Sequence, residues 1–215
     1  MTAAPRVPAP EPLRWFDEAF AGSTVLAVLR GLPPHETVRL ASAAWDLGIE
    51  QVEIPIETTD AVPSLTAVLH AAAERGKVVG AGTILTEDQV DLAVGLGAAY
   101  LVSPGLDADL IERALARGVP FLPGVSSASE ILVARKLGLR WLKAFPASLL
   151  GSRWITAMHG PFPDIRFVAT GGMNARNAAE FLDAGCSVVG VGSALDDPEQ
   201  RQILQSVMAV GPPAA

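Results

Sequence analysis

Arg140-Trp141-Leu142-Lys143-Ala144-Phe145-Pro146-Ala147 reads as a short β-strand buried on both faces, with one lysine near its C-terminal end. Its apolar residues lack the strict alternation of a half-exposed strand, which is the pattern of a parallel sheet covered by helices. A helical pattern over residues 128–137 precedes it and another over 149–159 follows, so the stretch belongs to a repeating strand–helix unit. Strand patterns fall at 24–30, 51–55, 77–82, 100–103, 119–122, 140–145, 165–170 and 187–190. Helical patterns fall at 35–47, 61–75, 87–96, 108–117, 128–137, 149–159, 175–184 and 198–210. Gly48, Gly76, Gly97, Gly118, Gly138 and Gly185 sit at helix ends, where a left-handed cap favours glycine. Eight such units close most naturally into a (β/α)8 TIM barrel, an α/β fold. An open doubly wound sheet is the alternative. It fits less well, because no G-x-G-x-x-G follows the first strand and eight open strands leave long edges.

The chain has 215 residues, half of them apolar, which suits one barrel domain over 13–210 with flexible tails at 1–12 and 211–215. Leu13, Trp15, Phe16 and Phe20 make residues 12–22 a short amphipathic helix, suited to cover one end of a larger fold. A net charge of −7 with no basic run argues against nucleic acid as partner. An anionic ligand must then be held by local groups. The single cysteine, Cys186, excludes an internal disulfide and fits a reducing, cytoplasmic compartment. Residues 1–12 are rich in Ala and Pro and lack the features of a signal peptide. No apolar run approaches the roughly 18–20 residues that span a bilayer, so no membrane partner is expected.

In such barrels the chemistry lies at the C-terminal ends of the strands. Of the three lysines, Lys77 follows a turn glycine and Lys136 lies on a polar helix flank, whereas Lys143 sits among Leu142, Ala144 and Phe145. Apolar surroundings disfavour the ammonium form, and a neutral amine can attack a ketone to form a Schiff base. A buried stem with a head reaching solvent is the plainer alternative. Glu53, between Val52 and Ile54, is costly to bury unless paired or functional. Near Lys143 it suits a proton shuttle; a structural ion pair is the other reading. Arg30 ends the first strand, where its guanidinium can clasp a carboxylate or bond helix carbonyls at the surface. Thr170-Gly171-Gly172 and Gly192-Ser193 precede helices at adjacent strand ends, where backbone N–H groups can hold a phosphate, although turns use glycine too. His35 and His70 lie on helices, His159 reads as a helix-end cap and Cys186 as core, so no metal-ligand cluster is expected.

Glu53-Ile54-Pro55, Gly80-Ala81-Gly82-Thr83, Ser103-Pro104-Gly105, Lys143-Ala144-Phe145-Pro146 and Thr170-Gly171-Gly172 together resemble the KDPG/KHG aldolases in order and spacing. These are class I aldolases of 2-keto-3-deoxy-6-phospho sugar acids. The resemblance covers about residues 25–195 and implies a trimeric barrel. It implies Lys143 as the Schiff-base lysine and Glu53 as the general acid/base. Thr83 and Phe145 would shape the pyruvate pocket, with Pro104 beside them, and Gly171, Gly172, Gly192 and Ser193 would hold the phosphate. The iminium accepts the electron pair released by cleavage, so no metal or cofactor is implied.

The departures carry information too. The phosphogluconate branch has an arginine where this chain has Glu57, and an acidic group cannot bind a carboxylate in that role. Arg30 in Leu29-Arg30-Gly31 resembles the arginine of the phosphogalactonate branch, and Ser148 stands where many phosphogluconate enzymes have glutamate. The lean is to the galactonate epimer, with the gluconate epimer and 4-hydroxy-2-oxoglutarate also open. Rival readings are a phosphosugar isomerase or synthase on the same barrel, with Lys143 a mere cation, and a barrel that only binds phosphosugars.

Overall fold

The computed structural model describes residues 11–210, apart from the side chains of Ser193 and Val210. The tails expected at 1–12 and 211–215 lie outside those residues, except for Glu11 and Pro12, which open the first helix. The strands are β1 (Val25–Val28), β2 (Val52–Pro55), β3 (Val79–Gly82), β4 (Tyr100–Val102), β5 (Phe121–Leu122), β6 (Gly124–Val125), β7 (Trp141–Ala144), β8 (Arg166–Ala169) and β9 (Val188–Val191). All pair in parallel, in the order β5-β4-β3-β2-β1-β9-β8-β7-β6.

The outermost members of that order, β5 and β6, are two halves of one barrel strand divided at Pro123, which has no N–H for a ladder. The Leu122 carbonyl accepts from the Ser103 N–H (3.2 Å), and the Pro123 carbonyl accepts from the Lys143 N–H (2.9 Å). One edge therefore bonds the β4 side and the other bonds β7, which closes the barrel. The strand expected at 119–122 starts later and runs on beyond the proline.

The helices are α1 (Glu11–Ala19), α2 (Pro34–Asp46), α3 (Val62–Glu74), α4 (Glu87–Leu96), α5 (Ala108–Ala116), α6 (Ala128–Lys136), α7 (Ala147–Leu150), α8 (Ser152–His159), α9 (Ala175–Asp183) and α10 (Pro198–Val210). The helix expected at 149–159 begins two residues earlier and is broken at Gly151, whose φ of 79° ends α7 before α8 starts. The six helix-end glycines named from the sequence all take left-handed φ, from 64° to 99°. Side-chain caps fix other ends: Thr86 and Gln89 form a capping box on α4, and Asp107 and Ser127 accept from the first turns of α5 and α6.

Side chains alternate across a strand, and this divides the apolar residues into two cores. Leu101, Leu142, Phe167 and Val189 face outward and pack under the helices with Ile111, Ile131 and Phe181. Leu26, Tyr100, Trp141, Val168 and Val188 face the barrel axis, where Phe16 and Phe20 of α1 and its C-terminal turn join them. Phe16 stacks on Phe20 (5.7 Å) and meets Tyr100 edge-on (5.7 Å), while Phe20 lies 5.1 Å from Trp141. The Trp141 Nε1–H donates to Asp17 (2.9 Å). The helix expected to cover one end of the fold thus plugs the N-terminal mouth of the barrel. The alternation that sends Trp141 inward sends Lys143 inward as well, two residues nearer the other mouth.

Candidate active site

Lys143 and Glu53 are 2% and 0% exposed, and Lys143 Nζ lies 3.8 Å from Glu53 Oε1. At an effective dielectric near 20 the attraction is about 4 kcal/mol, whereas taking each ion out of water costs several. The separation also exceeds a hydrogen bond, and both Glu53 oxygens are buried with no hydrogen-bond partner among the described residues. Buried carboxylates are rarely left so. The carboxylate occupies room that only a glycine leaves: a Cβ on Gly82 of β3 would overlap Glu53 Oε1. Below it the Tyr100 ring fills the space over Gly80, and its hydroxyl donates to the Val52 carbonyl (2.9 Å). Burial first, and then the Glu53 charge, push the Tyr100 phenol well above its ordinary range.

A cleft of about 260 Å³ opens at the C-terminal mouth, lined by Lys143 but not by Glu53 or Thr83. Lys143, Phe145, Arg30 and Thr170 line it, with Gly171 and Gly172 on one side and Gly190 and Gly192 on the other. Lys143 Nζ sits 5.1 Å from the centre of the Phe145 ring. Arg30 is exposed, and its Nη2 donates to Thr83 Oγ1 (3.1 Å). Thr83 holds φ at 58°, the only left-handed non-glycine among the described residues. For a β-branched residue that costs on the order of 1–3 kcal/mol. One charged hydrogen bond, worth roughly 1.5–3 kcal/mol, offsets it. The strained threonine holds the arginine over the cleft, which carries two cations at its surface in a chain of net charge −7.

Pro104 does not line this cleft; its carbonyl fills the space where Gly124 lacks a side chain. Ser193 begins a 3-10 turn, Ser193–Leu195, and its side chain lies outside the described ones. Glu57 lies off the cleft as well. It lines a neighbouring pocket of about 260 Å³ between the loops after β1 and β2, with Oε2 buried and unpartnered among the described residues. Thr170 is the residue that sequence reading undervalued. The sequence presents it as part of a glycine turn, yet its hydroxyl is buried on the cleft wall with no partner among the described residues. The available signal was a lone polar residue ending the apolar run Phe167-Val168-Ala169.

The bland readings of the remaining groups agree with their surroundings. The His159 ring pairs with the Gly185 carbonyl (3.0 Å) at the end of α8. Cys186 is fully buried, and burial pushes its thiol up to about 12. Trp45 lies on the buried face of α2, and Trp154 meets Phe167 edge-on. Among the described residues no group of three or more His, Cys, Asp or Glu is placed to hold a metal ion, and no helix is long and apolar enough to cross a membrane.

Residues 16–210 match the model of the KDPG and KHG aldolases. The chain is 36% identical over 172 residues to the 2-dehydro-3-deoxy-6-phosphogalactonate aldolase of Escherichia coli K12, covering 80% of this chain and 83% of that one. It is 36% identical over 166 residues to the 2-dehydro-3-deoxy-phosphogluconate aldolase of Treponema pallidum, covering 77% and 78%. Among solved structures it resembles the KDPG aldolase of Legionella pneumophila, crystallised with pyruvate as a covalent carbinolamine intermediate. The TM-score is 0.76 at 30% identity, over 90% of this chain and 96% of that one. Likeness at this level runs through the whole barrel, from the plug helix to α10, and the chain belongs to the KDPG and KHG aldolase family.

Proposed function

We propose that this aldolase works by Schiff-base chemistry on a 2-keto-3-deoxy-6-phospho sugar acid, releasing pyruvate and glyceraldehyde 3-phosphate. The buried Lys143–Glu53 pair, whose lysine lines the cleft, carries the reading. A lysine amine attacks the C2 ketone, the carbinolamine loses water, and an iminium forms. Glu53 takes the C4 hydroxyl proton, directly or through water, as the C3–C4 bond breaks. The bond's electron pair moves into the iminium to give an enamine, and the aldehyde leaves. Protonation at C3 and hydrolysis return pyruvate and the free lysine.

Arg30 is assigned to the C1 carboxylate, and Thr83 supports it through their hydrogen bond. Phe145 walls the pyruvate end. Gly171, Gly172 and Gly192, with Ser193, are assigned to the phosphate. The galactonate epimer is the assigned substrate. Glu57, off the cleft and of the wrong charge, leaves the carboxylate to Arg30. The relatives of both epimer classes support a phosphorylated sugar acid without choosing between them. The active assembly is taken as a homotrimer on the family resemblance, and light scattering of the purified chain reads it.

The test is borohydride reduction in the presence of pyruvate, followed by peptide mass analysis, and then turnover of the two epimers side by side. A reduced pyruvate adduct on Lys143 with faster cleavage of the galactonate epimer is the expected result. A folded protein that gives no adduct would overturn the Schiff-base reading. Faster cleavage of the gluconate epimer would overturn the assigned specificity.

A further inference from the structure

Three successive carbonyls beyond β8 are held from outside the cleft. The Ala147 N–H donates to the Thr170 carbonyl (2.7 Å), and the Ser148 N–H donates to the Gly171 carbonyl (3.0 Å). Asn177 Nδ2, on the first turn of α9, donates to the Gly172 carbonyl (3.0 Å). A trans peptide unit points its N–H opposite to its C=O. Fixing these carbonyls toward α7 and α9 therefore turns the N–H groups of Gly171, Gly172 and Met173 the other way, toward the cleft those residues line. None of these three N–H groups donates a hydrogen bond among the described residues.

Of the three locks, the one from Asn177 is made by a side chain. Its orientation is determined at both ends: Oδ1 accepts from the Asn174 N–H (2.9 Å) while Nδ2 reaches the Gly172 carbonyl. Asn174 Oδ1 in turn accepts from the Arg176 N–H (2.9 Å), so the capping box of α9 anchors the lock. The loop it restrains is one that glycine leaves free to move. Gly171 and Gly172 both hold left-handed φ, 87° and 75°. A peptide flanked by glycine rotates at little steric cost, and rotating the Gly172–Met173 unit would present a carbonyl oxygen, not an N–H, to a bound anion.

We propose that Asn177 is a positioning residue for recognition of the substrate phosphate. It holds the Gly172 carbonyl away from the cleft and so keeps the loop N–H groups aimed at the anion. This inference rests on the phosphate assignment made above.

The test uses aldol addition of pyruvate to glyceraldehyde 3-phosphate and to unphosphorylated glyceraldehyde. Two variants are needed. Asn177→Asp keeps the oxygen that accepts from Asn174 and places a negative charge in the first turn of α9, which helices favour, so the fold is retained. Asn177→Ala removes the donor without adding charge. Both are expected to raise KM for glyceraldehyde 3-phosphate about tenfold, the loss of a well-placed hydrogen bond. KM for glyceraldehyde is expected to shift by no more than about twofold.

An unchanged ratio of the two KM values in both variants would overturn the inference. So would an equal loss toward both acceptors, the mark of a merely structural role. An effect confined to Asn177→Asp would mean that added charge acts, and would overturn it as well. A wild-type enzyme with no preference for the phosphorylated acceptor would instead remove the phosphate assignment itself, and the inference with it.

Discussion

At the N-terminal mouth of the barrel, Phe16 and Phe20 close over Tyr100 and Trp141, and the polar atoms of those two strand residues are satisfied by the Val52 carbonyl and Asp17. Thr24 and Gln51 each leave one oxygen without a partner among the described residues at that end, but both are neutral. At the C-terminal mouth, two strand positions above Trp141, the chain buries a lysine and a glutamate outside hydrogen-bond range of each other. There it also leaves the Thr170 hydroxyl without a partner among the described residues and holds Thr83 in a left-handed conformation. The same eight strands form both ends. One end spends its inward positions on large aromatic and aliphatic side chains, whereas the other gives several of them to glycine, at 82, 124, 190 and 192. The comparison teaches that stability and chemistry are separated along the barrel axis by only a few residues of each strand.

Substitutions at the two ends test that separation. The largest effect belongs to Lys143→Ala. Cleavage is expected to fall by at least about 10⁴-fold, because covalent catalysis is lost outright, while the fold is retained with a lower unfolding temperature, because Glu53 stays buried without its charge partner. A variant that keeps near-parental turnover would break the proposal. Glu53→Gln comes next. Its proton steps are expected to slow by roughly 10²–10⁴-fold, yet the borohydride-trapped pyruvate adduct on Lys143 should persist. An unchanged steady-state rate would remove Glu53 from its role. Phe16→Ala sharpens the contrast from the other end. It is expected to cost about 3–5 kcal/mol in denaturant unfolding and to leave KM for the substrate alone below the transition. A change in KM without loss of stability would show that the plug and the cleft are coupled.

Much of this was legible without coordinates, for identifiable reasons. Strand and helix positions follow from local patterns, and the helix-end glycines act within one turn of their own segment. Lys143 stood out because lysine is rare in an apolar strand, and Glu53 because a charge between Val52 and Ile54 needs a partner. What misled the reading was also local. Proline at 123 looked like the end of a strand, yet the barrel continues through it because its carbonyl, unlike its missing N–H, still bonds β7. Helix 149–159 looked continuous because a single glycine is tolerated in such patterns, but Gly151 takes a backbone angle no helix residue holds.

The sequence by itself determined the (β/α)8 order of elements, the family and the short list of charged groups at strand ends, since each of these depends on residue type and spacing along the chain. The tertiary structure decided which of those groups meet. Glu53 on β2 and Lys143 on β7 lie on opposite sides of the barrel, and only closure and the alternation of each strand bring them within 3.8 Å. It also decided what the glycines are for. Gly82 and Gly190 take no turn conformation; they are bare because the Glu53 carboxylate and the Thr170 methyl occupy the space a Cβ would fill. That requirement comes from neighbours across the sheet, and no pattern within a single strand can express it.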